Sequence, residues 1–257
     1  MTEYTKHEVG TFSWADLSTT DLDAAIALYT DLFGWEVTKE DIPSGGVYAM
    51  FRLNGKDVAA ASGQREEERG MPPHWNVYVT VEDAEQTAKE AESLGGTILA
   101  PAFDVMEYGR MSVIADPTGA VFCAWEPKDN IGAQLLGEEG ALSWVELLTN
   151  DTAKAGSFYK ELFGYELSPF GDDGSYTVFN KGETQIAGMM KAPMEGMPNY
   201  WGLYFTTDDV DRVHDKVKAA GGQAMMEPTD MPEIGRLAVL TDPQGASFGV
   251  IKGPQDS

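Results

Sequence analysis

Apolar and polar positions alternate with period two from Ser13 to Leu17, which predicts a strand, and the period then changes. Ala24, Ala25, Leu28, Tyr29, Leu32 and Phe33 recur at helical spacing behind Asp21, a residue suited to cap a helix, and Gly34 stops the run. Two further apolar stretches, 48–53 and 58–61, read as strands joined by a hairpin at Asn54-Gly55. The same order follows again: a strand from Asn76 to Val81, a helix from about Asp83 to Leu94, a stop at Gly95-Gly96, and strands near 97–103, 110–115 and 120–126. Each unit is therefore predicted to be βαβββ.

The pattern recurs on a larger scale. The segment Ser13–Glu36 returns as Ser143–Glu166, 130 positions later, and the segment opening at Trp75 returns at Trp201, 126 positions later. Both copies of the second pair end alike, in Asp116-Pro-Thr-Gly119 and Asp242-Pro-Gln-Gly245. Proline fixes φ and glycine tolerates positive φ, so these tetrapeptides are read as hairpin turns and not as phosphate loops. A polar connector at 126–134, with Pro127 and Gly132 as breakers, separates the halves. The expected architecture is α+β, four βαβββ units in two homologous domains, 1–130 and 131–257.

A length of 257 residues agrees with two domains of roughly 100 to 200 residues each. Acidic residues outnumber basic ones 42 to 18, for a formal net charge of -24. A field of that sign repels phosphate backbones and anionic lipid, so neither nucleic acid nor membrane is expected as a partner. With Cys123 the single cysteine, an intrachain disulfide and a cysteine-rich metal site are both impossible. The N-terminal residues have neither a basic nor an apolar leader pattern, and a cytoplasmic location is expected. Nucleotide loops and a Ser-His-Asp arrangement have no support in a chain with three histidines and no Gly-rich phosphate motif.

The run Leu28-Tyr-Thr-Asp-Leu-Phe-Gly-Trp-Glu36, its echo Phe158-Tyr-Lys-Glu-Leu-Phe-Gly-Tyr-Glu166, and the two Asp-Pro-x-Gly turns resemble the vicinal oxygen chelate superfamily. This is the group of glyoxalases, bleomycin resistance proteins and extradiol dioxygenases, and the resemblance is strongest to its tandem two-domain, actinobacterial glyoxalase-like members. It implies that paired units curl into a half-open cup. It also implies a divalent metal on the inner wall, held by His or Gln on the first strand of one unit and by His and Glu on the first and last strands of the next. Carried onto this sequence, those positions fall on Trp14, Asn76 and Cys123 in the first half, and on Trp144, Gly202 and Gly249 in the second. An indole has no lone pair free for a metal and glycine has no side chain, so no metal and no other cofactor is expected. His7, His74 and His214 are read as a residue of the N-terminal segment, a loop residue, and a helix residue with a solvent-facing or cap-like role.

Alternation places Trp14, Asp16, Asn76, Tyr78, Cys123 and Trp125 on the first cup wall, and Trp144, Glu146, Gly202, Tyr204, Gly249 and Ile251 on the second. Trp14, Asn76, Tyr78, Cys123, Trp125, Trp144 and Tyr204 are the candidate ligand-binding residues. Asp16 and Glu146 are weaker catalytic candidates, because a carboxyl on an inward strand position is costly unless paired or solvated. The tryptophans fit two readings, a stacking face for a planar ligand or a plug filling the cup. Metal-independent binding of a small hydrophobic or aromatic metabolite is the expected function, for sequestration or as a biosynthetic chaperone. The alternative is a glyoxalase-type lyase or isomerase, or another small-molecule enzyme, using an unusual metal site or an Asp/Glu general base. Tandem duplication makes a monomer the expected state.

Overall fold

The computed structural model describes residues 3–254 except 44, 69, 172, 173 and 195. The first half is one eight-stranded mixed sheet. Its first unit comprises β1 (Phe12–Thr19), α1 (Leu22–Phe33), β2 (Glu36–Asp41), β3 (Val47–Leu53) and β4 (Lys56–Gly63). The second comprises β5 (His74–Thr80), α2 (Ala84–Ser93), β6 (Thr97–Val105), β7 (Gly109–Ala115) and β8 (Val121–Pro127). The strand order β2-β3-β4-β1-β5-β8-β7-β6 joins the units through an antiparallel β1–β5 pair at the centre. The second half repeats this with β9 (Leu142–Thr149), α3 (Thr152–Phe163), β10 (Glu166–Phe170), β11 (Tyr176–Lys181) and β12 (Thr184–Lys191). Its last unit is β13 (Tyr200–Thr206), α4 (Val210–Ala219), β14 (Gln223–Met231), β15 (Gly235–Thr241) and β16 (Ser247–Lys252), and its strands follow the equivalent order. The fold is the expected α+β arrangement of four βαβββ units, in two curled sheets.

All four helices start in the same way. Asp21, Asp83, Asp151 and Asp209 each accept a hydrogen bond from the backbone N–H three residues on, at 2.8–3.0 Å, satisfying an amide the helix cannot. Gly34 and Gly164 end α1 and α3 in the left-handed region, where a side chain would be strained.

The two halves pack through the sheet faces that carry the helices, and their apolar residues merge into one core. Tyr29 on α1 donates to Asp242 in the second half's turn (3.1 Å) and accepts from the Trp75 indole N–H (3.1 Å). Tyr159 on α3 reciprocates, donating to Asp116 (3.0 Å) and accepting from Trp201 (2.9 Å). The other oxygen of each aspartate accepts backbone N–H groups of its own turn, such as Gly119 (2.9 Å) and Gly245 (2.8 Å). The Asp-Pro-x-Gly turns are hairpins, as read, and each is also a docking point for the opposite half. Since odd-numbered Trp75, Val77 and Val79 of β5 enter this shared core, Asn76 and Tyr78 point to the other face, away from the partner half.

The histidines differ from expectation. His7 is buried, stacked on Tyr4, with Nε2 2.7 Å from the Ala133 carbonyl; burial lowers its pKa. His74 opens β5 instead of lying in a loop, because pairing with Ser18 extends the strand. His214 is buried on α4 between Asp215 (3.0 Å) and Glu227 (2.7 Å), since the edge strand β14 folds over that helix. Among the described residues no helix is long and apolar enough to cross a membrane.

Candidate functional site

In the first half the central pair β1–β5 brings Asp16 opposite Asn76 and Trp14 opposite Tyr78, while β8 sets Cys123 beside Tyr78. Trp125 follows on the same face of β8 and meets Tyr78 edge-on, with ring centroids 6.3 Å apart. Asp16 is the centre of this group. One carboxylate oxygen accepts from Asn76 Nδ2 (2.9 Å), the other from the hydroxyls of Tyr78 (2.7 Å) and Tyr48 (3.1 Å). The Trp14 indole N–H donates to that same Tyr48 hydroxyl (3.2 Å). Only 8% of Asp16 is exposed, and burial raises its pKa against the opposing effect of those three donors. Cys123 is buried and its thiol is pushed far up by burial and by the Asp16 charge, so it is a protonated thiol and not a nucleophile.

The second half rebuilds the group with fewer atoms. Glu146 on β9 takes a hydrogen bond from Tyr204 on β13 (3.3 Å) and another from Tyr176 on β11. The Trp144 indole N–H donates to Tyr176 (2.8 Å). Burial raises the pKa of Glu146, which is 8% exposed; the tyrosine hydrogen bonds oppose the shift. Gly202 and Gly249 stand where the first half has Asn76 and Cys123, and Gly188 where it has Ala60. The ring of Tyr204 lies where a Cβ at Gly249 would be, and the Tyr176 hydroxyl where one at Gly188 would be. Gly202 has no such overlap, its absent Cβ facing Leu148 at an ordinary 3.5 Å. Ile251, on the cup face of β16, is half-buried.

The three positions per half that the resemblance predicts for a metal carry side chains that do not suit one here. Trp14 and Trp144 have no lone pair to offer and spend their N–H groups on tyrosines, Gly202 has no side chain, and the Gly249 position is filled by a neighbouring ring, which leaves Asn76 and a single thiol. Among the described residues no three His, Cys, Asp or Glu side chains gather as a divalent-ion site. Tyr48 and Tyr176 had no signal in the sequence reading. They come from β3 and β11, two strands away from the carboxylates they bond, and only the curl of the sheet brings them in.

This architecture has a clear kin group. The model of the Glyoxalase/Bleomycin resistance protein/Dioxygenase superfamily matches residues 11–124 and again 141–250. The chain belongs to that superfamily. It is 44% identical over 98% of both chains to the protein named "Putative glyoxylase CFP32" in Mycobacterium tuberculosis. It is 34% identical, over 96% of this chain and 95% of the other, to the anthracycline biosynthesis protein DnrV of Streptomyces peucetius. Among solved structures, the 2,3-dioxygenase LapB of Pseudomonas sp. KL28 superposes with a TM-score of 0.66 at 17% identity, covering 98% of this chain and 96% of that one. The Mn(II)-bound glyoxalase of Novosphingobium aromaticivorans gives 0.65 at 14%, covering 95% and 83%. At those identities the structural likeness concerns the fold alone. The superfamily member described here thus shares its fold with a 2,3-dioxygenase and with a Mn(II)-bound glyoxalase, while its own described residues gather no divalent-ion site.

Proposed function

We propose that the protein binds a small hydrophobic or aromatic metabolite in a glyoxalase-like cup without help from a metal, either to sequester it or to hand it on in biosynthesis. The observation that carries this reading is the same cluster in both halves: a buried carboxyl, two tyrosine hydroxyls aimed at it, and an indole on the adjoining wall. Pockets for small ligands are mostly apolar with a few converging polar groups, and the cluster has that composition. The relatives named for anthracycline biosynthesis add support for an aromatic ligand.

A second reading has its own support. A buried carboxyl whose pKa is raised is poised to take up a proton, so Glu146 or Asp16 would serve as a general base in a metal-free isomerase or lyase, and the glyoxylase label of the mycobacterial relative points the same way.

Tryptophan fluorescence of the intact chain, titrated with planar aromatic compounds, tests the binding reading; saturable quenching is the expected result. Metal analysis of protein purified without an affinity tag is its companion, and about one tightly held divalent ion per half would overturn the metal-free assignment. Turnover abolished in Glu146→Gln or Asp16→Asn, with binding kept, would establish the general-base enzyme instead.

A further inference from the structure

The two cups share a motif but are walled differently. In the first, Trp14 and Tyr78 are only 4% and 7% exposed and pack with Trp125 and Ala133. Ala133 belongs to the connector between the halves, which is stitched against this cup. Its N–H donates to the Ser13 carbonyl (2.7 Å), the Gln134 N–H to Asp57 (2.8 Å), and the Trp125 indole N–H to the Asn130 carbonyl (2.9 Å). Gly132 permits the approach, since a Cβ there would stand 2.6 Å from the Ser13 oxygen. The mouth is tied too. Tyr108, on the turn from β6 to β7, donates to Glu40 on β2 (3.0 Å), and so links opposite arms of the sheet across the opening.

Among the described residues none of these closures is repeated in the second cup. At the internal offsets of 130 and 126 residues, Glu40 becomes Phe170 and Tyr108 becomes Ile234, a pair that forms no hydrogen bond between side chains. Trp125 becomes Ile251, Asn76 and Cys123 become glycines, and by its register beside the carboxyl Ala60 is replaced by Gly188. Trp144 and Tyr204 are partly exposed where their counterparts Trp14 and Tyr78 are buried, while Tyr176 and Gly202 are partly exposed as Tyr48 and Asn76 are in the first cup. The hydrogen-bond partners of Glu146 are two neutral tyrosine hydroxyls. An anionic ligand would meet this carboxyl with no counter-charge, in a chain of net charge -24.

Resting on the small-molecule reading above, we infer that the second cup alone is the ligand site and the first is a locked structural element. The ligand is a planar neutral or cationic molecule that stacks on Trp144 and donates a hydrogen bond to Glu146. The connector and the Tyr108–Glu40 tie make the first cup part of the scaffold, and Trp14 is its plug.

Isothermal titration of the intact chain with 1-naphthol, with the cationic dye proflavine and with 1-naphthoate tests this. The expected result is one site per chain for naphthol and proflavine, and binding of naphthoate weaker by about tenfold or more. Trp144→Ala weakens binding by about tenfold or more, while Met111→Ala, on the wall of the first cup, leaves it within about twofold because the cups open on opposite faces of the molecule. Should Met111→Ala fail to fold, Val113→Ala reads the same cup. Two sites per chain, or a first-cup variant that loses binding while Trp144→Ala keeps it, would overturn the assignment and leave small-molecule binding standing. Naphthoate binding as tightly as naphthol would overturn the charge selectivity. Failure of every probe to bind would sink the small-molecule reading and this inference with it.

Discussion

Asp16 and Glu146 occupy inward positions on central strands where most sequences would place an apolar side chain, and the tyrosine hydroxyls around them are what make this tolerable. Both have folded-state pKa values raised by burial above the ordinary 3.8 and 4.5. Below the ordinary range both folded and unfolded chains hold these protons, and their contribution to stability is complete. As pH rises through the ordinary values the unfolded chain releases protons that the folded chain still keeps, so stability falls until the folded groups ionise as well. Urea unfolding between about pH 4 and about pH 8 should therefore show a decline that Asp16→Asn and Glu146→Gln each flatten; an unchanged slope in both variants would contradict the burial argument. Gly249 is the other decisive residue at this scale. Its missing Cβ is what lets the Tyr204 ring lie on the sheet, so Gly249→Val should displace that ring from Glu146 and cost about 1–3 kcal/mol in unfolding free energy. The same substitution should raise the polarity around Trp144, visible as a red shift of its emission.

Helices and turns are where the sequence was most legible, because their signals are local. Asp21, ahead of the first apolar-periodic run, marked a helix start, and an aspartate at the equivalent position caps each of the four α-helices. Asp209→Ala is expected to lower stability by about 1 kcal/mol, read by chemical denaturation. The strand β2 left no comparable trace, since Glu36–Asp41 is an edge strand with five exposed residues and no alternation to detect. Nor did the extra duty of the Asp-Pro-x-Gly turns show, because Tyr29 and Asp242 are 213 residues apart. Tyr29→Phe strands both Asp242 and the Trp75 indole, and Tyr159→Phe does the same to Asp116 and Trp201. Each should cost about 1–3 kcal/mol, and differential scanning calorimetry should find the two losses alike. A negligible loss in either would mean that the interlock adds nothing beyond the apolar contact around it.

The whole molecule is two cups set back to back on a shared aromatic core, under a formal charge of -24. Self-repulsion of that size works against the compact state, so raising sodium chloride from about 0.05 M to about 1 M should raise the melting temperature by a few degrees. A fall would show that the surface ion pairs, such as Arg236–Asp211 at 2.7 Å, outweigh the net repulsion. At this scale the division between sequence and structure is sharp. Repeats, helix caps, hairpin chemistry and strand alternation were sufficient to establish four βαβββ units, their superfamily, and the residues facing each cup, because each signal is carried by neighbours in the chain. Periodicity also put an indole and a carboxyl on each inner wall. What it could not decide was how the walls close: that Tyr48 and Tyr176 reach the carboxyls, that the connector lies over the first cup, and that Tyr108 meets Glu40 across its mouth. Those contacts join residues far apart along the chain, and they exist only because the curl of each sheet brings distant strands within hydrogen-bonding reach.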